Sequence, residues 1–192
     1  VAYVPFKVDK GCVKTAVDGG RALGIRGFNV TVPHKVEVME SLCSIDAAAE
    51  KIGAVNTLKL TENGYVGYNT DIIGLKKCFE SRNIEIKNNT VVLIGAGGAA
   101  NSAAILAGEE GASKLVIVNR TLEKAEKLAD RVRKYYPITV EVKGYESIMD
   151  IENPQIVIQT TSVGMGNDID GTPIKNADFF DNVKIVVDII YT

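Results

Sequence analysis

The 192-residue chain is predicted to be an α/β protein: an N-terminal open α/β domain followed by a Rossmann-like domain built on a parallel sheet. Three observations predict this. Strand-like apolar runs alternate with amphipathic helical segments along most of the chain, the pattern of βα units. One run, Val91-Val92-Leu93-Ile94, is continuously apolar, as in a strand buried on both faces. It leads directly into Gly95-Ala96-Gly97-Gly98-Ala99-Ala100, a glycine-rich turn that opens an alanine-rich helix.

In the first half, residues 1–8 read as a strand and 12–23 as a helix stopping near Gly24. Residues 27–32 alternate as a second strand, and Pro33 then fits the first turn of a helix over 33–43. That puts Lys35 where the helix dipole disfavours a cation. The lysine is either incidental there or placed to give and take a proton. A short helix follows over 46–52. Strands 54–60 and 65–68 flank a turn containing Asn63-Gly64, a strong hairpin signal. Thr70 resembles the N-cap of a helix over 71–81. The polar residues Arg82-Asn83 and Lys87-Asn88-Asn89 mark an interdomain hinge, dividing domains 1–84 and 85–192.

The second half reads as strand 90–94, helix 99–108, strand 114–118, helix 122–134 and strand 138–142. A helical turn near 146–150 and strands 155–159 and 184–189 complete it. Glu123, Lys124, Glu126 and Lys127 mark the wet face of their helix.

Composition excludes several classes. A net charge of −2 supplies no basic field for nucleic acid. No apolar run approaches the roughly 20 residues a membrane helix requires, and the start has no signal-peptide pattern. Cys12, Cys43 and Cys78 form no CxxC pair, so they read as buried reduced thiols of a cytoplasmic protein. His34 is the single histidine, so neither a metal cluster nor a Ser-His-Asp arrangement is expected.

Gly95, Gly97 and Ala100 match GxGxxA, which lets the backbone approach a pyrophosphate at a helix N-terminus. About 20 residues on, an acid would hold the ribose diol of NAD. The chain has Val118-Asn119-Arg120-Thr121 there. The Arg120 guanidinium suits a 2′-phosphate, and Lys124 can add charge, so NADP(H) is expected over NAD. Two later strand ends face the same crevice. One carries Thr160-Thr161-Ser162-Val163-Gly164-Met165, a polar loop that could meet nicotinamide or ribose. The other is Asp188-Ile189-Ile190-Tyr191. On the other side, Asn29, Thr31, Lys35, Asn56 and Asp71 would together line a polar pocket for a small polyhydroxylated molecule. Lys35 and Asp71 would form its proton-transfer pair.

Six motifs stand in one order: Asn-Val-Thr-Val-Pro-His-Lys, Gly-Ala-Val-Asn-Thr-Leu, Tyr-Asn-Thr-Asp-Ile-Ile-Gly, Gly-Ala-Gly-Gly-Ala-Ala, Asn-Arg-Thr and Thr-Ser-Val-Gly-Met. That order closely resembles the shikimate dehydrogenase family, which reduces 3-dehydroshikimate to shikimate with NADPH on the route to aromatic amino acids. The resemblance implies Lys35 and Asp71 as the catalytic pair, and Thr31 and Asn56 as substrate ligands. It implies Gly95, Ala96, Gly97, Gly98, Ala99, Asn119, Arg120, Thr121 and Lys124 as cofactor contacts. Ile189 is similar in position to a residue near the nicotinamide, and Tyr191 to a substrate contact. Thr161 and Ser162 join the cofactor set, and Asn29 and Asp71 the substrate set. The expected partners are shikimate and 3-dehydroshikimate, and a homodimer is compatible with them.

Two other readings remain: a quinate/shikimate dehydrogenase, and a non-catalytic NADP-binding module. Relative to the family pattern, the chain starts after a first strand and helix bearing a Ser-x-Ser motif. It stops before helices that bring a substrate-binding glutamine. The resemblance therefore implies a fragment that alone binds NADP(H) weakly and turns over shikimate poorly.

Overall fold

A computed structural model describes residues 2–166 and 169–190. Packing divides the chain into two compact units, one ending at Thr70 and the other starting at Asp71. The division falls ahead of helix α3 (Asp71–Ser81), not at the expected 84/85 hinge. The reason is that α3 packs on helix α4 (Gly98–Glu109), where Lys76 Nζ lies 2.7 Å from Glu110 Oε1.

The first unit contains α1 (Val13–Ala22), β1 (Gly27–Asn29), β2 (Ser44–Ile45), α2 (Ala47–Ile52), β3 (Thr57–Thr61) and β4 (Gly64–Tyr68). Its sheet runs β1-β3-β4-β2, with β2 parallel to β4 and the other pairs antiparallel. The register Thr61↔Gly64 closes the expected hairpin through Glu62 and Asn63. Asp46 caps α2 by accepting the Ala48 N–H at 3.0 Å. Val13 and Val17 of α1 pack with Val38, Ala49, Val55, Leu58 and Tyr65 into one core.

Three expectations here are corrected. Residues 2–8 form no strand. Tyr3, Val4 and Phe6 are exposed, and the segment is held by side chains instead. The Tyr3 hydroxyl meets Asn29 Oδ1 at 3.2 Å, the Phe6 ring sits edge-on to Phe28, and the Val8 carbonyl lies 2.9 Å from His34 Nε2. The strand over 27–32 stops at Asn29, because the chain turns at 32–33 and the His34 N–H closes back on the Thr31 carbonyl. The helix over 33–43 shrinks to a 3-10 turn at Glu37–Ser41, so Lys35 precedes the helix and the dipole argument does not apply to it. The cysteines are also corrected: Cys12, Cys43 and Cys78 are all exposed, and beside Cys12 and Cys78 it is the adjoining Val13 and Phe79 that are buried.

The second unit holds β5 (Thr90–Ile94), β6 (Lys114–Val118), β7 (Thr139–Lys143), β8 (Ile156–Gln159) and β9 (Ile185–Asp188). They form one all-parallel sheet in the order β7-β6-β5-β8-β9. Every residue of β5 is buried, as its apolar run predicts. α4 covers the sheet with a small-residue face that includes Ala100, Ala103, Ala104 and Ala107. α5 (Leu122–Tyr135) buries Ala125, Leu128, Ala129 and Val132 and leaves Glu123, Lys124, Glu126 and Lys127 exposed. A 3-10 segment, Tyr145–Asp150, replaces a full crossover helix between β7 and β8. The strand order reverses direction beside β5. Ligands of open α/β sheets bind at such a switch point, outside the carboxyl ends of the strands.

Candidate active site

In the first unit, the segment Ala54-Val55-Asn56-Thr57 organises the polar residues. Its Val55 N–H donates to the Lys35 carbonyl at 2.7 Å, and the Asn56 carbonyl accepts from the Val30 N–H at 2.7 Å. Asn29 pairs with Thr57 in the β1–β3 ladder. The segment bearing Asn29, Thr31 and Lys35 is thus laid along Asn56. Asn29 and Thr31 are exposed, Lys35 is half-buried, and Asn56 is 8% exposed.

The buried Asn56 amide is engaged through both its oxygen and its nitrogen. Its Nδ2 donates to Thr70 Oγ1 at 2.9 Å, and its Oδ1 accepts from the Thr70 N–H at 3.1 Å and the Thr57 hydroxyl at 2.9 Å. Asn69, also buried, donates from Nδ2 to the Ala54 carbonyl at 2.9 Å. Thr57 and Asn69 escaped the sequence reading, which took Thr70 as a helix N-cap and not as a partner of Asn56. The signal was there, because polar side chains flanking both ends of an apolar hairpin need partners once buried.

In the second unit, Asp71 opens α3, where the dipole favours a carboxylate. Four strand ends line the carboxyl edge of the sheet. After β5, Gly95 adopts φ +110°, and a Cβ there would stand 2.7 Å from Thr160 Oγ1. Gly97 caps α4 with no side-chain bond, and a Cβ on it would meet nothing within 4 Å. The turn therefore needs glycine at Gly95 for the fold and leaves open space over Gly97, the residue that caps α4. That fits a pyrophosphate cradle.

After β6, Asn119 Nδ2 donates to the Thr121 carbonyl at 2.8 Å, shaping the turn that leads into α5. Arg120 and Lys124 are exposed at that turn, and Thr121 is half-buried. Burial pushes the Tyr145 hydroxyl up from its ordinary value, and the nearby positive charge of Arg120 pulls it partly back.

After β8, Gln159 is 5% exposed and its amide folds the following loop. Oε1 accepts from the Thr161 N–H at 2.7 Å, and Nε2 donates to the Thr161 and Val163 carbonyls at 3.3 and 3.2 Å. Thr161 Oγ1 accepts from the Val163 N–H at 3.2 Å, so this side chain is committed to the loop itself, while Ser162 is exposed. After β9, Asp188 Oδ1 accepts from the Ile190 N–H at 2.9 Å, and Ile189 is half-buried. Tyr191 lies outside the described residues.

Comparison with known proteins finds relatives over nearly the whole chain. Residues 1–58 match the model for the shikimate dehydrogenase substrate binding domain, and residues 76–169 that for shikimate / quinate 5-dehydrogenase. The NADP(+) shikimate dehydrogenase of Methanocaldococcus jannaschii is 40% identical over 193 residues, covering 98% of this chain and 67% of the relative. The chain belongs to the shikimate dehydrogenase family. It spans about two thirds of the length of the relatives it matches.

Two solved members of the shikimate dehydrogenase family extend the likeness. One, crystallised with NADP+, superposes with a TM-score of 0.83 at 39% identity, covering 97% of this chain and 65% of that one. The Listeria monocytogenes shikimate 5-dehydrogenase, in complex with shikimate and NAD, gives 0.79 at 29% identity, with 97% and 67% covered. The family accounts for a mixed first sheet followed by a parallel sheet with a glycine turn at its switch point. Among the described residues, no helix is long and apolar enough to cross a membrane.

Proposed function

We propose that the protein is an NADP-dependent shikimate dehydrogenase, converting shikimate and NADP+ reversibly into 3-dehydroshikimate, NADPH and a proton. The observation that carries this reading is the engagement of one segment, Ala54-Val55-Asn56-Thr57, with both the Lys35 backbone and Thr70, the residue before Asp71. It fixes the backbone that bears the lysine and the backbone that leads to the aspartate.

The chemistry divides simply. NADP+, when bound, supplies the hydride acceptor. Lys35 takes the proton from the substrate hydroxyl as the ring carbon becomes a ketone, and returns it in the reverse direction. Asp71 holds the lysine charge and its orientation. Asn29, Thr31 and Asn56 bind ring substituents, and Tyr191 completes the substrate set. Gly95, Ala96, Gly97, Gly98 and Ala99 seat the pyrophosphate. Asn119, Arg120, Thr121 and Lys124 take the adenosine 2′-phosphate, and Thr161, Ser162 and Ile189 lie toward the nicotinamide half. Small soluble substrates and three cysteines outside any disulfide suit the cytoplasm.

The test is a set of initial rates on the natural protein carrying this sequence, with shikimate or quinate and with NADP+ or NAD+. The shikimate–NADP+ pair is expected to give the highest kcat/KM. A preference for quinate would overturn the substrate assignment, and a preference for NAD+ the role of Arg120.

A further inference from the structure

Gln159 is a buried polar side chain that neither phosphate binding nor proton transfer uses. It ends an otherwise apolar strand, Ile156-Val157-Ile158-Gln159, where an aliphatic residue would continue the core. A buried amide is costly unless each of its groups is paired. Here both ends are paired to backbone of the next four residues, through the Thr161 N–H and the Thr161 and Val163 carbonyls. The amide therefore acts as a template around which the loop is wound.

The loop is also tied to the glycine turn. The Thr160 N–H and hydroxyl both donate to the Ile94 carbonyl, at 2.9 and 2.7 Å, just before Gly95. On its far side, Ile190 Cδ1 lies 3.6 Å from where a Gly164 Cβ would stand. The sheet order places β6 and β8 on opposite sides of β5. A dinucleotide with its pyrophosphate over Gly97 and its 2′-phosphate at Arg120, over the end of β6, must extend its nicotinamide half over the end of β8. That is where the Gln159-wound loop lies.

We propose that Gln159 is a positioning residue for hydride transfer, its buried amide holding the loop 160–165 in the shape that seats the nicotinamide half of NADP(H). This rests on the dehydrogenase reading. The loop backbone is set before the cofactor arrives, so the reacting ring is not left to find its place on a mobile segment. A misplacement of about 1 Å at a reacting centre costs on the order of a hundredfold in rate.

The test compares two ligands on Gln159→Glu in the natural protein. This near-isosteric change keeps an acceptor for the Thr161 N–H but sets a carboxylate oxygen against two carbonyls. NADPH reports the whole dinucleotide, and adenosine 2′,5′-bisphosphate only the adenosine half. NADPH affinity is expected to fall by about tenfold or more, with kcat falling further, while bisphosphate affinity stays within about twofold of wild type. Gln159→Met, which removes the hydrogen bonds without adding charge, repeats the comparison if the glutamate variant does not fold. Equal loss of both ligands, or loss of neither, would overturn the role of Gln159. A wild-type protein that binds neither ligand would instead overturn the dehydrogenase reading itself.

Discussion

The Asn56 amide brackets Thr70 from both sides, donating to its hydroxyl at 2.9 Å and accepting its backbone N–H at 3.1 Å. Asn56 leads into β3 and Thr70 follows β4, so the bracket closes the open end of the hairpin. The same stretch holds the Lys35 carbonyl through the Val55 N–H. Asn56 thus has a structural task in addition to any contact with substrate.

Replacing Asn56 with alanine strands the Thr70 N–H and the Thr57 hydroxyl. The expected loss is about 1–3 kcal/mol of stability, read as a lower denaturant midpoint at unchanged slope. An Asn56→Ala variant as stable as wild type would mean that the bracket carries no weight.

Arg120 is exposed at the turn where an acid would select NAD. On its proposed role, Arg120→Ala would remove a charge-assisted contact with the 2′-phosphate, worth about 1.5–3 kcal/mol. KM for NADP+ should rise by roughly tenfold to a hundredfold, with KM for NAD+ little changed. Equal effects on both cofactors would place the arginine elsewhere.

Gly95→Ala tests the glycine turn. The φ of +110° disfavours any Cβ, and the new methyl would stand 2.7 Å from Thr160 Oγ1. The variant should lose cofactor affinity and also stability, by about 1–3 kcal/mol, because Thr160 is tied to the Ile94 carbonyl. Normal NADPH binding by a stable Gly95→Ala protein would contradict this.

Tyr65 offers a pH prediction. Burial raises its hydroxyl above the ordinary value of 10.0, and the hydroxyl donates to the Ile25 carbonyl. The folded state therefore keeps the proton that the unfolded state releases. This contribution to stability is fully present below pH about 10 and is lost as pH rises through the folded value. Tyr65→Phe should flatten the alkaline fall in melting temperature, and an unchanged alkaline limb would rule Tyr65 out as its source.

The parallel sheet was legible because its strands are short apolar runs and its turns carry glycine, asparagine and proline in places with local steric meaning. Gly95 is such a place, and in the first sheet the Asn63-Gly64 hairpin is another. Residues 2–8 misled because a short apolar stretch carries strand propensity whatever its surroundings, whereas here side-chain contacts to Asn29, Phe28 and His34 hold it. Lys35 was misplaced because Pro33 suits a helix start and a turn equally well. Gln159 and the bonding of Thr70 to Asn56 escaped notice because such roles are set by what a residue meets in the fold: Gln159 winds a loop around its own amide, and Thr70 is met by the residue that leads into the other strand of the hairpin. Periodicity carries no record of such meetings.

The proton-transfer role of Lys35 is the claim on which the enzymatic reading turns. It is tested most directly by the steady-state kinetics of Lys35→Ala with shikimate and NADP+. The account predicts a fall in kcat on the order of 10²- to 10⁴-fold, with KM for shikimate little altered. A kcat equal to that of wild type would contradict it.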